Sequence, residues 1–184
     1  MKHAAMLSLL LLAACAAPPV EQARGPASQT PLGREAARIV PQRAVTQVDY
    51  LIVDKSERLM VAYAGGQPVR AWRGLQFGDR PQGHKQFEGD ERTPEGRYVI
   101  EGRNPGSRYH LSLKVSYPNA ADRAFAAAQG RSPGGDIFLH GQPNSLPLGR
   151  IPGDWTDGCI AFSNAEIEEL WRIVPDGTTI EIRP

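Results

Sequence analysis

Three short β-rich runs, joined by turns too tight for anything else, constrain this chain most. Val48-Asp-Tyr-Leu-Ile-Val53 and Arg58-Leu-Met-Val-Ala-Tyr63 flank the polar turn Asp54-Lys-Ser-Glu57. Gly65-Gly66 then supplies a second hairpin signal into residues 68–75. Runs of Val, Ile, Tyr and Leu bounded by such turns predict an antiparallel meander. With 19 glycines, 16 prolines and only 7% aromatics, the rest of the chain is also turn-rich. That composition favours a β-dominated fold over a helical bundle.

The pattern continues through one domain beginning near Val45. Residues 78–96 form a long polar loop, in which Pro94 fixes a turn and Gly96 can take positive φ before a strand over 97–101. His84, Lys85, Glu88, Asp90 and Arg92 of this loop are placed to line a cleft or to form a solvated charged surface. Leu111-Ser-Leu-Lys-Val-Ser116 alternates as a half-buried strand does. Residues 120–129 are alanine-rich and helical, ending at Gly130. An apolar strand then closes on His140, and residues 142–155 are too long for a hairpin, as an ordered functional loop would be. Ser163-Asn-Ala-Glu166 is a capping box, and Ile167, Leu170, Trp171 and Val174 recur at helical spacing until Pro175-Asp-Gly177 stops the helix. Trp171 is expected in the core. A last strand spans 178–182, and no internal repeat is apparent.

Charge excludes one class of partner. Twenty-one Lys+Arg face 20 Asp+Glu, with no basic block of the kind that marks a nucleic-acid footprint.

Residues 1–15 read as a targeting segment. Lys2 supplies the positive start, and residues 4–12 form an apolar run too short to span a bilayer. Leu12-Ala13-Ala14-Cys15 looks like a bacterial lipobox, in which Cys15 is lipidated and becomes the mature N-terminus. Ala16, rather than Asp, follows it, which favours the outer membrane of the periplasm as the expected location. Residues 16–44, rich in Ala, Pro, Gln and Arg, read as a tether, with a short helix possible over 32–40. About 25 flexible residues have a root-mean-square span of roughly 25–30 Å.

The chain has 2 cysteines. If Cys15 carries lipid, Cys159 is left unpaired in a compartment that oxidises thiols. A thiol becomes a nucleophile as thiolate, so it needs a base and a position open to substrate. His140 at a strand end and Cys159 behind the Asp157-Gly158 corner meet that need. The competing reading is a small, inert, buried cysteine.

His140, fifteen residues, and then Thr156-x-Gly158-Cys159 resembles the L,D-transpeptidase catalytic domain (the YkuD-like family). The Thr93-Pro94-x-Gly96 turn and the run Gly153-Asp-Trp-Thr-Asp-Gly-Cys159 resemble one bacterial branch of it. The resemblance covers roughly residues 45–184. It implies a mainly β, β-sandwich/barrel domain with a few short helices, acting on peptidoglycan stem peptides without cofactor or metal. Carried over by position, Cys159 is the nucleophile and His140 the general base and acid. The Gly141 carbonyl orients the imidazole. Thr156 and Gly158 shape the nucleophile turn, and the N–H groups of Gly158 and Cys159 are oxyanion donors. Arg150, Asp154, Trp155 and Tyr117 are candidate substrate contacts. One departure stands out: Asp157 replaces the family histidine before Gly-Cys. Its charge raises the thiol pKa and calls for an offsetting cation, for which Arg150 is the candidate, or else it meets a cationic substrate group.

The reaction so implied is acyl transfer through a thioester, from a stem peptide to an amine. Three alternatives remain at this level. One is an L,D-carboxypeptidase or endopeptidase that uses water as acceptor. Another is a zinc peptidase built on His84, His110 and His140, which lack a compact ligand spacing. The third is a lipid-anchored wall-binding module without activity. Oligomeric state is not legible.

Overall fold

The computed structural model describes residues 30–39, 45–146 and 148–184. The expected leader, Cys15 and most of the expected tether lie outside them. The elements are α1 (Pro31–Arg38), β1 (Tyr50–Asp54), β2 (Leu59–Ala64), β3 (Gln67–Arg73), β4 (Gly96–Asn104), β5 (Ser112–Val115), α2 (Ala120–Ala128), β6 (Phe138–His140), β7 (Ile160–Ala161), α3 (Asn164–Ile173) and β8 (Thr179–Arg183).

The eight strands form one sheet in the order β3-β2-β1-β8-β4-β5-β6-β7. The meander β1–β2–β3 is antiparallel throughout. β8 returns parallel to β1, pairing Leu51 with Ile180 and Val53 with Ile182. β4 joins the two halves: Gly96 to Val99 pair with β8, and from Ile100 onward the strand pairs with β5, with a register shift between Ile100 and Gly102. An irregularity there bends a strand and re-aims the sheet. β6 then pairs with β5, and the short β7 lies parallel to β6.

Alternation decides which residues fill the core. Leu51, Val53, Met60, Ala62 and Trp72 face the main cluster, which α3 closes with Ile167, Leu170 and Ile173. Ser163 caps α3 with Glu166 in the capping box read from the sequence, and Asn119 with Asp122 forms a second box on α2. Trp171 packs at the edge of the core, with the Arg103 guanidinium 5.2 Å from its ring centre.

The opposite face of the meander is also covered. Ile52, Leu59 and Val61 pack with Leu32 of α1. Thr30 caps that helix, accepting from the Gly33 N–H. So Pro31–Arg38, inside the stretch expected to be a tether and close to the short helix expected over 32–40, forms a helix seated on the outer face of the meander. β-strands with both faces apolar need such a cover, because leaving Ile52, Leu59 and Val61 in water forfeits roughly 1.5–3 kcal/mol for each side chain.

Candidate active site

The site forms where β6 and β7 run side by side. Their parallel register sets Leu139 beside Ile160 and His140 beside Ala161, which brings the end of β6 close to Cys159, the residue just before β7. His140 and Cys159 line the same cleft, of about 560 Å³. One wall comes from the β4–β5 connection with Ser107, Arg108 and Tyr109. The other comes from Asp136, Ile137 and the turn Trp155-Thr-Asp157.

His140 is buried at 3% exposure, and its Nδ1 lies 2.7 Å from the Gly141 carbonyl oxygen. A carbonyl only accepts, so Nδ1 carries the proton and Nε2 is the basic nitrogen. Burial pushes the imidazole down to about 4, against the pull of the Gly141 carbonyl. Two aromatic rings hold it: Tyr109 at 4.7 Å between centroids and Trp155 at 5.5 Å, edge-on. His140 is therefore neutral at ordinary pH, as a general base must be.

Cys159 is partly exposed. Its Sγ accepts from the Phe138 N–H at 3.4 Å, and its S–H donates to the Asp136 carbonyl at 3.4 Å. Burial pushes the thiol up to about 11, the charges of Asp157 and Asp136 adding to it, while the Phe138 N–H and the Lys85 ammonium favour the thiolate. The resting pair is thus neutral thiol and neutral imidazole.

The nucleophile turn is held by Thr156. Its hydroxyl donates to the Cys159 carbonyl at 2.8 Å and accepts from the Gly158 N–H at 3.2 Å. Gly158 itself is at φ +124°, and a Cβ there would come within 2.4 Å of the Arg92 carbonyl oxygen. Only glycine permits that approach.

Within the fifteen-residue spacer between His140 and Thr156, two buried glutamines hold the backbone at Ile151 and Gly153. Gln142 donates to Gln76 and to the Phe162 carbonyl and accepts from the Ile151 N–H. Gln76 donates to the Ile151 and Gly153 carbonyls.

A model of the L,D-transpeptidase catalytic domain matches residues 48–182. The chain belongs to the L,D-transpeptidase (YkuD) family. YafK of Escherichia coli (strain K12) is 32% identical over 94 residues, which is 50% of this chain and 32% of that protein. The helical cell shape determining protein Pgp2 of Campylobacter jejuni shares the fold with a TM-score of 0.57 and 26% identity, over 77% of this chain and 51% of that one. Its K-to-A variant gives 0.59 and 28%, over 73% and 46%. The chain thus spans a third to a half of these relatives. The family fold is present as expected, mainly β with short helices among the described residues.

Several candidate residues of this L,D-transpeptidase domain fall elsewhere than the sequence implied. Arg150 does not line the cleft: its guanidinium pairs with Glu166 and donates to the Gly74 carbonyl. Tyr117 is a core residue at 3% exposure, donating to the Pro133 carbonyl. Asp154 clamps Arg58 through both oxygens, at 2.6 and 2.7 Å, and accepts from the Phe77 N–H. The Gly158 N–H is committed to Thr156, which leaves the Cys159 N–H of the two amides named as oxyanion donors. Thr156, Asp157 and Trp155 do line the cleft.

The 78–96 loop contributes no lining residue. His84 sits between the Glu95 N–H and Asp122, Lys85 pairs with Asp90, and His110 meets Glu168. Among the described residues, no group of three or more His, Cys, Asp or Glu is placed to hold a metal. Tyr109 and Asp136 were missed. The register of β5 on β6, with Ser112 opposite His140, would have placed Tyr109 near the imidazole, but that pairing is not written in local sequence.

Proposed function

We propose that this domain is a cysteine-dependent acyltransferase acting on peptidoglycan stem peptides. The observation that carries the proposal is the placement of Cys159 and His140 in one cleft, with Nδ1 of His140 fixed so that Nε2 is left to take a proton.

The thiol sulfur attacks a stem-peptide carbonyl as its proton passes to His140 Nε2. The tetrahedral oxyanion accepts from the Cys159 N–H. Its C–N bond breaks, the His140 proton goes to the leaving amine, and a thioester remains. An acceptor amine attacks next, gives its proton to Nε2, and the C–S bond breaks to restore the thiol. Because the resting thiol is neutral, His140 takes its proton in the course of the reaction rather than in a preformed ion pair. Trp155, whose indole N–H has no acceptor among the described residues, forms part of the wall that would hold the substrate. The Cys15 lipid anchor and a periplasmic, outer-membrane position belong to the same proposal, as does a role in cell-wall organisation.

Incubating the protein with purified muropeptides, followed by mass spectrometry, tests it. New dimers with a released amino acid, lost in Cys159→Ala, are expected. Shortened monomers alone would make water the acceptor and the enzyme a carboxypeptidase. Products unchanged in Cys159→Ala would refute the mechanism.

A further inference from the structure

The 83–95 loop holds two lysines whose side chains are each only 3% exposed, Lys55 (from β1's end) reaching into it and Lys85 within it. Lys55 Nζ fastens the base of the loop, donating to the Gly83 carbonyl at 2.7 Å, to the Thr93 carbonyl at 3.3 Å and to Glu95 at 2.7 Å. Its role is structural and complete. Lys85 is different: among the described residues its ion-pair partner is Asp90, at 2.9 Å. Asp90 in turn accepts from the backbone N–H groups of Gln86, Phe87 and Arg92.

This knot touches both backbone segments that meet at the nucleophile. The Arg92 carbonyl packs against Gly158. On the other side the Glu88 N–H donates to the Ser132 carbonyl at 2.9 Å, and the Glu88 backbone packs against Gly134, two residues before the carbonyl that holds the thiol. A buried ammonium behind the nucleophile has an evident use, because a cation nearby favours thiolate. The charges that act on Cys159 are Asp157 on its own turn, Asp136 on the adjoining segment and Lys85, while His140, Tyr109 and Arg108 line the same cleft. Asp136 lies 3.9 Å from Lys114, whereas Asp157 makes no ion pair among the described residues.

We propose that Lys85 is a positioning residue for the reaction, a buried cation that Asp90 holds behind the nucleophile turn so that its charge offsets Asp157 as the Cys159 thiolate forms. The proposal rests on Cys159 being the nucleophile, but its test does not use turnover. It also gives a physical reason why this branch tolerates an aspartate before Gly-Cys.

The test is the pH dependence of Cys159 alkylation by iodoacetamide in the full-length chain, followed on the Cys159 peptide by mass spectrometry. Lys85→Met is expected to raise the midpoint by about half a unit or more and to slow alkylation about threefold below it, because the thiolate fraction falls in proportion. Lys85→Arg is expected to restore the midpoint. Asp90→Asn, which keeps an acceptor oxygen, is expected to shift the midpoint the other way by removing a negative charge. Opposite signs separate charge from packing: damage to the loop alone would move both variants in one direction. If Lys85→Met does not fold, the sign of the Asp90→Asn shift decides. An unchanged midpoint in folded Lys85→Met, or an upward shift in Asp90→Asn, overturns the proposal. Turnover surviving in Cys159→Ala would instead refute the function while leaving these midpoints readable.

Discussion

The Arg92 carbonyl oxygen occupies the space that a side chain at Gly158 would need, 2.4 Å from the position of its Cβ. The loop before β4 and the nucleophile turn are therefore in backbone contact, and the shape of the turn depends on a residue sixty-odd positions away. Gly158→Ala must either push that carbonyl aside or leave φ +124°. The strained backbone alone costs about 1–3 kcal/mol. Displacing Cys159 by even an ångström is expected to lower kcat about a hundredfold, measurable alongside a reduced unfolding midpoint.

Thr156 bridges the same turn. Thr156→Val keeps the shape but loses both bonds of the hydroxyl, and a loss of about 1–2 kcal/mol of stability is expected. Thr156→Ser retains both bonds and is expected to keep most activity. Urea midpoints and steady-state rates of the two variants check this.

The neutral imidazole sets the acid limb of activity. With His140 held at about 4 by burial, kcat/KM is expected to stay level down to about pH 5 and fall near pH 4, rather than near the ordinary histidine value. The pH profile of kcat/KM reports the free enzyme, so it reads this group directly. Trp155→Leu opens one side of the imidazole to water and is expected to move the limb upward.

The same shift ties stability to pH. Unfolded, His140 takes a proton near 6.5, and folded only near 4. Between those values the unfolded state binds more protons, so stability falls as the pH drops from 6.5 to 4 and the loss is complete below that, at up to about 3 kcal/mol. Urea midpoints at pH 7, 5.5 and 4 are expected to show the slope, and His140→Gln to flatten it. Cys159 acts at the other end: with the folded thiol at about 11 against 9, stability declines as the pH rises through that interval.

Gln142 is fully buried and serves three partners. Gln142→Leu leaves the Ile151 N–H and the Phe162 carbonyl without their bonds, and about 3 kcal/mol is expected to be lost. Because the spacer it braces carries Trp155 and leads into Thr156, activity should fall in parallel, and a thermal melt with an activity assay at low temperature separates the two effects.

Much of this was legible in the chain. The meander and the capping box at Ser163 are local patterns, found where periodicity and turn chemistry put them, and the His140–Cys159 spacing was legible through its resemblance to a known family. Residues whose roles depend on register or on long-range contact were not legible. Arg150 stands near the right turn in sequence, but Glu166 of α3 captures it. Tyr117 lies beside the cleft-forming segments yet turns into the core. Lys85 sits in a loop that reads as solvated, and only the fold shows it buried. Helix α1 matches the short helix expected over 32–40, but its seat on the apolar outer face of the meander depends on contacts with strands far along the chain and is not written in residues 31–38.

The most direct measurement is the intact mass of the protein during turnover on a stem-peptide substrate, with the adduct located by peptide mapping. A covalent increment equal to the acyl donor minus its leaving group, on Cys159 and absent in Cys159→Ala, is the expected result. Products forming while Cys159 stays unmodified under rapid quench, or an adduct on any other residue, would contradict the account.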